Sequence, residues 1–320
     1  MIKTAEFVTP KHPDKICDFI ADSILDAYLE KDINSRVAIE VMGGHNLITI
    51  NGEVTSNSSP NIENVVKQIV GQEYQVIINI VKQSPEIASG VDTGGAGDQG
   101  IMCGYATNET KELLPLEYVL ARDLAQKIYA VYPYDGKTQV TIEYPNNDKT
   151  NFKINTVVAS FQNSKNEDLL PFVKNIIGDI DTEYLINPAG EWSMGGFDAD
   201  TGLSGRKLII DNYGPQISIG GGSFSGKDYT KVDRSGAYMA RKISTEILRA
   251  TNAKEVFVKL AYAIGKPNPV MAVAIVDGKE ETILDYDLTP KGIKEFLKLD
   301  TVKYVNTCQW GHFGNNFNWD

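Results

Sequence analysis

The chain has 320 residues, 42% hydrophobic and 23% charged, which excludes a disordered, collagen-like or low-complexity protein. Its 31 Lys and Arg face 42 Asp and Glu, a formal net charge of −11, so there is no basic footprint for nucleic acid or an anionic membrane surface. Cys17, Cys103 and Cys308 lie far apart with no CxxC pairing, and His12, His45 and His312 lack zinc-ligand spacing. The first fifteen residues hold no signal-peptide core. The most apolar stretch, Val256 to Val276, is broken by Lys259, Lys266, Pro267 and Pro269. These features predict a soluble protein of the reducing cytoplasm, with no nucleic-acid or membrane partner.

In chain order, Ile2 to Val8 reads as a strand. A helix follows from Pro13, with Ile16, Phe19, Ile20, Ile24, Ala27 and Tyr28 at helical spacing. Arg36 to Met42 and Leu47 to Thr55 are strands joined at Gly43-Gly44-His45-Asn46, a hairpin signal. Ile62, Val65, Val66, Ile69 and Val70 mark a helix, and Gln75 to Val81 a strand. The order returns with strand Ile101 to Thr107, a helix over Leu116 to Val131, and strands Thr138 to Tyr144 and Asn151 to Phe161. A helix over Leu169 to Ile177 and a strand Glu183 to Ile186 complete the second pass. In the third, Lys207 to Asn212 reads as a strand and Met239 to Leu248 as helical. Glu255 to Ala263 and Val270 to Val276 are strands, Ile293 to Leu297 is helical, and Val302 to Val305 extended. Three β-α-β-β-α-β passes predict an α+β fold of three similar units, 1–92, 93–193 and 194–320.

Glycine-rich segments fall between these elements, where a ligand can approach the backbone. Gly220-Gly221-Gly222-Ser223-Phe224-Ser225-Gly226-Lys227-Asp228 nearly matches a phosphate-binding loop, but Asp228 stands where that loop needs Ser or Thr. A plain flexible loop is the alternative. Lys11-His12-Pro13-Asp14-Lys15 opens the first helix, where an anion is favoured and Asp14 could hold a metal; ordinary helix capping explains the same residues. Gly95 to Gly100, around Asp98, offers a metal or ribose loop or a domain linker, and Asp200 to Lys207 sets a carboxylate beside Arg206 and Lys207; taken singly, each is weak and reads first as a solvated loop. Together they are glycine-bounded Asp, Lys, Arg and His with no Ser/His or Cys/His pairing. That set suits a polyphosphate and metal ions, and chemistry without a protein nucleophile.

The same motifs, in register along nearly the whole chain, resemble the S-adenosylmethionine synthase (methionine adenosyltransferase) family. They are His12-Pro13-Asp14-Lys15, Gly52-Glu53, Lys82-Gln83-Ser84-Pro85, Gly95 to Gly100, Gly104 to Thr110 and Gly205-Arg206-Lys207. Gly220 to Lys227, Lys231 to Ser235, Tyr262 to Gly265 and Gly311 to Gly314 complete them. The resemblance implies three similar units around a pseudo-threefold axis, in a homodimer or dimer of dimers with sites at the subunit interface. It implies adenosyl transfer from ATP to L-methionine by in-line displacement of tripolyphosphate, which is then hydrolysed.

Carried over residue by residue, the resemblance makes His12, Lys137, Arg206 and Lys227 catalytic. Asp135, Asp200, Lys207 and Ser223 join them at ATP, and Glu53, Gln83, Asp98, Asp200 and Lys231 contact methionine. Asp14 and Asp233 match magnesium ligands, two Mg²⁺ per site, and Glu40 a K⁺-site carboxylate. The chain departs from the family in a shortened loop at Asp92 to Gly95, in Glu191-Trp192 where an Arg-aromatic pair is usual, and in Lys11 and Cys103. The short loop implies a more open site. A phosphate-loop kinase and a non-catalytic regulatory subunit are the rival readings; Asp228 speaks against the first, and retention of the charged set against the second.

Overall fold

The computed structural model describes residues 1–82, 94–147 and 151–320, so Gln83 and the Asp92–Thr93 part of the shortened loop lie outside the described residues. The fold is α+β, with seven helices and twelve strands among the described residues. The first pass is β1 (Ile2–Val8), α1 (Pro13–Leu29), β2 (Arg36–Gly44), β3 (Leu47–Thr55), α2 (Ile62–Val70) and β4 (Gln75–Val81). The second is β5 (Gly100–Thr107), α3 (Leu116–Tyr129), β6 (Gly136–Glu143), β7 (Lys153–Phe161), α4 (Asn166–Ile177) and β8 (Glu183–Ile186). The last comprises β9 (Gly202–Leu203), α5 (Leu208–Asn212), α6 (Val232–Thr251), β10 (Glu255–Tyr262), β11 (Met271–Val276), β12 (Lys279–Thr282) and α7 (Pro290–Leu297).

Local chemistry explains the clearest boundaries. His12 caps α1, its Nδ1 accepting the Asp14 N–H at 3.2 Å, and Pro13 fills the first turn. Below the cap, Cys17, Ile20, Ala21, Ile24, Leu25 and Tyr28 bury one face of the helix. The β2–β3 turn falls on His45 and Asn46, at φ 50° and 65°, a geometry that matches the twist of the strands.

The strands form three four-stranded sheets in the orders β1-β6-β7-β8, β9-β2-β3-β4 and β5-β10-β11-β12. In each, a first strand joins a hairpin formed elsewhere in the chain, pairing antiparallel with its near strand. The exchange is cyclic. β1 of the first pass joins the second, β5 of the second joins the third, and β9 of the third returns to the first. Among the described residues, no sheet is built from one contiguous third of the chain. A larger core lies under the β1 and β5 sheets and a smaller one between α1 and the β9 sheet.

Two expected elements are corrected. Leu208–Asn212 is a helix, not a strand: the run is too short to separate the two periods, and the buried Asp211 carboxylate is tied to Lys15 of α1. The expected extended stretch at Val302 to Val305 gives way to a 3₁₀ turn, Tyr304–Asn306. There the Tyr304 and Val305 N–H groups donate to the Asp26 carboxylate at 3.0 and 3.1 Å, which takes these two donors away from a sheet ladder. The β-like run Gln216 to Ile219 makes no strand, only an isolated bridge from Gly220 to Met102.

Candidate active site

The anticipated residues gather in two nests. The first is at the N-terminus of α1. Asp14 is fully buried; its Oδ1 accepts from the Leu203 N–H and from Arg206 Nε, both at 2.8 Å, and its Oδ2 from Lys207 Nζ at 2.6 Å. Burial works against the charge of Asp14, but the bonds from Lys207, Arg206 and Leu203 outweigh it and hold the carboxyl below its usual value. Arg206 also donates from Nη2 to the Thr201 carbonyl at 2.6 Å.

His12 stands over this array. Burial first, then the cations Lys207 and Lys137, push its pKa down to about 3, so the ring is neutral. Its Nδ1 accepts a backbone N–H, which leaves the proton on Nε2 as a donor. Lys137 reaches this nest from β6, where it pairs with Val8 just before the α1 cap. Asp135 accepts the Gly196 N–H at 3.0 Å, and burial raises its pKa. Asp200 is exposed, its Oδ1 accepting the Thr201 N–H at 2.7 Å.

The second nest is formed by the glycine loop and the start of α6. Lys227 Nζ donates to Asp233 Oδ2 at 3.0 Å, and Lys231 Nζ to Asp228 Oδ1 at 2.5 Å. Asp228, which spoils the phosphate-loop signature, is an anchor that the sequence reading missed. It is buried and also accepts the Val37 N–H at 2.7 Å and the Thr230 N–H at 2.9 Å. The Gly97 N–H donates to the Thr230 carbonyl at 3.4 Å, which brings the loop of the exposed Asp98 alongside. The phosphate-loop reading fails on both sides: no strand precedes the glycines and no hydroxyl follows Lys227.

β2 is the ruler between the nests. Lys227 bridges to Ala38, while Leu203 pairs with Met42 four residues further on, about 13 Å at strand rise. Ala38, Glu40 and Met42 alternate on one face of the sheet, and Glu53 lies opposite Ala38, so Lys227 and Glu53 flank the same residue. Glu40 is exposed midway and accepts the Ser204 O–H at 2.6 Å. Ser223 lies against Gly205, between the two nests, with a buried hydroxyl that has no hydrogen-bond partner among the described residues.

The Glu191-Trp192 departure finds a structural use. Glu191 accepts the Asn166 N–H at 2.8 Å at the start of α4, and Trp192 Nε1 donates to Ser160 Oγ at 3.1 Å. Cys17, Cys103 and Cys308 are free and buried.

A neutral histidine thus caps a helix whose first carboxylate is clamped by two cations from the loop after β9. Residues 1–85, 93–192 and 194–320 match, in order, the N-terminal, central and C-terminal domains of S-adenosylmethionine synthetase. The chain belongs to the S-adenosylmethionine synthetase family. It is 42% identical to the S-adenosylmethionine synthase of Mycoplasmopsis pulmonis, over 98% of this chain and 93% of the relative. With that of Borreliella afzelii it shares 41% identity, over 99% and 94%. The solved structure of an unusual S-adenosylmethionine synthetase from Campylobacter jejuni matches with a TM-score of 0.88 at 34% identity, covering 99% of this chain and 96% of that one. The first alignment spans 352 positions, more than the 320 residues here, so that relative carries segments this family member lacks.

Proposed function

We propose that the chain makes S-adenosylmethionine from ATP and L-methionine, with the two nests supplying the charges that receive the polyphosphate. The methionine sulfur lone pair attacks the ribose C5′, the C5′–O bond breaks, and its electron pair leaves with tripolyphosphate. Water then splits tripolyphosphate into phosphate and diphosphate. A thioether attacks without losing a proton, so no base is needed at sulfur. The barrier lies in the departing charge, and fixed cations where that charge develops are the main catalytic contribution.

The observation that carries the reading is the His12–Asp14–Arg206–Lys207 array. His12 presents a neutral Nε2–H donor, while Arg206 and Lys207 are held by Asp14 in place before substrate arrives. Lys137 adds charge from β6, and Lys227 from the second nest. Asp135, Asp200 and Ser223 line the nucleoside side; Glu53, Asp98, Asp200 and Lys231, with Gln83, are assigned to methionine.

The donors fit magnesium. Asp14 and Asp233 are buried carboxylates, one in each nest, and magnesium is commonly held by one or two carboxylates with substrate phosphates completing its shell. When bound, Mg²⁺ supplies concentrated positive charge to the polyphosphate. Glu40, an oxygen donor on the exposed sheet face, is assigned to K⁺.

We also place the site between two copies of the chain. Supporting this, at the first-nest end of β2 the sheet carries an exposed row of Leu203, Met42 and Ile77 across β9, β2 and β4, with Thr49 between the last two. Ile101 and Met271 are exposed on the β5 sheet. The units are taken as 1–92, 93–193 and 194–320, close to the matched ranges. The chain is placed in the cytoplasm; no helix among the described residues is long and apolar enough to cross a membrane.

Incubation with ATP, methionine, Mg²⁺ and K⁺ tests the proposal. A sulfonium product with phosphate and diphosphate is expected. ADP would mean a kinase, and no turnover a regulatory subunit.

A further inference from the structure

Helix α1 carries Asp14, Asp18, Asp22 and Asp26 at intervals of four, a stripe of like charge on one face that by itself weakens a helix. All four are buried, and together they tie three separate segments: Asp14 and Asp18 hold the loop around Gly205, Asp22 the glycine loop and Asp26 the turn at Tyr304. Asp18 Oδ1 accepts the Gly205 N–H at 2.8 Å, and Asp22 Oδ1 accepts the Gly226 N–H at 2.9 Å. Asp26 takes the Tyr304 and Val305 N–H groups.

The two middle ties are the same device. Gly205 sits in Ser204-Gly205-Arg206 and Gly226 in Ser225-Gly226-Lys227, so in each loop the tethered N–H belongs to the residue directly before a cation. Both glycines are left-handed, at φ 76° and 82°. Neither has room for a side chain: a Cβ on Gly205 would lie 2.5 Å from Ser223 Oγ, and one on Gly226 2.2 Å from the Ile39 carbonyl oxygen. Arg234 reinforces the second tie. It pairs with both Asp22 oxygens at 2.7 and 2.9 Å and donates to the Lys227 carbonyl at 3.1 Å.

We infer that Asp18 and Asp22 are positioning residues for polyphosphate binding, each fixing through a glycine N–H the backbone from which Arg206 or Lys227 projects its charge. One rigid helix thereby sets the distance between the cations of the two nests, one turn of α1 apart at their anchors. The inference rests on the reading that these cations hold polyphosphate. Asp26 is the built-in control, because it has the same spacing and burial but ties a turn that bears none of the assigned cations.

Titration calorimetry of the full chain with inorganic tripolyphosphate and Mg²⁺ tests it. Asp18→Ala is expected to weaken tripolyphosphate binding about tenfold, the effect of one misplaced backbone tie on a preorganised charge, and to raise the KM for ATP with that for methionine changed less than twofold. Asp18→Asn keeps an oxygen acceptor for Gly205 and stays within twofold of wild type, as does Asp26→Ala. Equal losses in Asp18→Ala and Asp26→Ala, or in Asp18→Ala and Asp18→Asn, overturn the inference, as does unchanged binding in Asp18→Ala. Should Asp18→Ala not fold, amide exchange of the wild type decides. Gly205 and Gly226 are expected to be protected before any polyanion is added, and protection appearing only with tripolyphosphate refutes preorganisation. Absence of tripolyphosphate binding in the wild type would instead defeat the functional reading, which the exchange result reports separately.

Discussion

At the scale of single residues, the proposed role of His12 is to meet the leaving group as a neutral donor. A histidine with an ordinary pKa gains and loses its proton across the physiological range; this one is held neutral by burial and by Lys207 and Lys137, with its pKa near 3. The rate between pH 5 and 8 is therefore expected to show no limb from His12 titration. His12→Ala is expected to lower kcat by about 10²- to 10³-fold, the usual loss for a single preorganised donor, with a smaller change in KM. A pH–rate series on both forms checks this, and a limb near 6.5 present in the wild type and absent in the variant would contradict it. The residue was visible in the sequence as part of His12-Pro13-Asp14-Lys15. Its tautomer was not, since that depends on the folded contact between Nδ1 and the Asp14 N–H.

At the scale of elements, loops are held by buried carboxylates rather than by regular ladders. Asp228 joins β2, the glycine loop and Lys231 in one knot. Asp228→Thr completes the apparent phosphate-loop signature, yet no ADP-forming activity is expected. It should instead destabilise the fold by about 1–3 kcal/mol, because the buried Val37 N–H loses its acceptor and Lys231 its counter-charge. Denaturant midpoints with an ADP assay on the same variant decide the matter. Asp18 gives a second test. Burial raises its pKa to about 7, against roughly 3.9 in an unfolded chain. Between these values the folded state holds the extra proton, so this contribution to stability is full below about pH 4 and is lost as pH rises through about 7. Asp18→Asn should flatten that part of the stability–pH curve, and an unaltered slope would show that the titrating group lies elsewhere.

For the whole molecule, strand exchange makes the three passes interdependent: removing any one leaves another sheet without its first strand. The exposed row Leu203, Met42 and Ile77 lies at the first-nest end of β2, where a second copy would cover it. Met42→Asp with Ile77→Asp is expected to shift the sedimentation of the protein to that of a monomer and to abolish sulfonium formation, while leaving the far-ultraviolet circular dichroism unchanged. A monomeric variant that keeps full activity would place each site within one chain.

Most of the elements were legible because their apolar residues repeat at clean periods over long runs, as in α1 and the β2–β3 hairpin. Leu208–Asn212 and Tyr304–Asn306 were not, because their backbone is set by Asp211 and Asp26, whose partners are remote in sequence. The sequence alone determined the three passes, the charged residue types and their placing between elements, since periodicity and turn chemistry are local. Only the tertiary structure decided which sheet each first strand enters, that Asp228 is an anchor, and that Arg206 and Lys207 converge on Asp14. Those outcomes depend on buried pairings between groups up to about two hundred residues apart, where burial forces each charge and N–H to find a partner that no local pattern encodes.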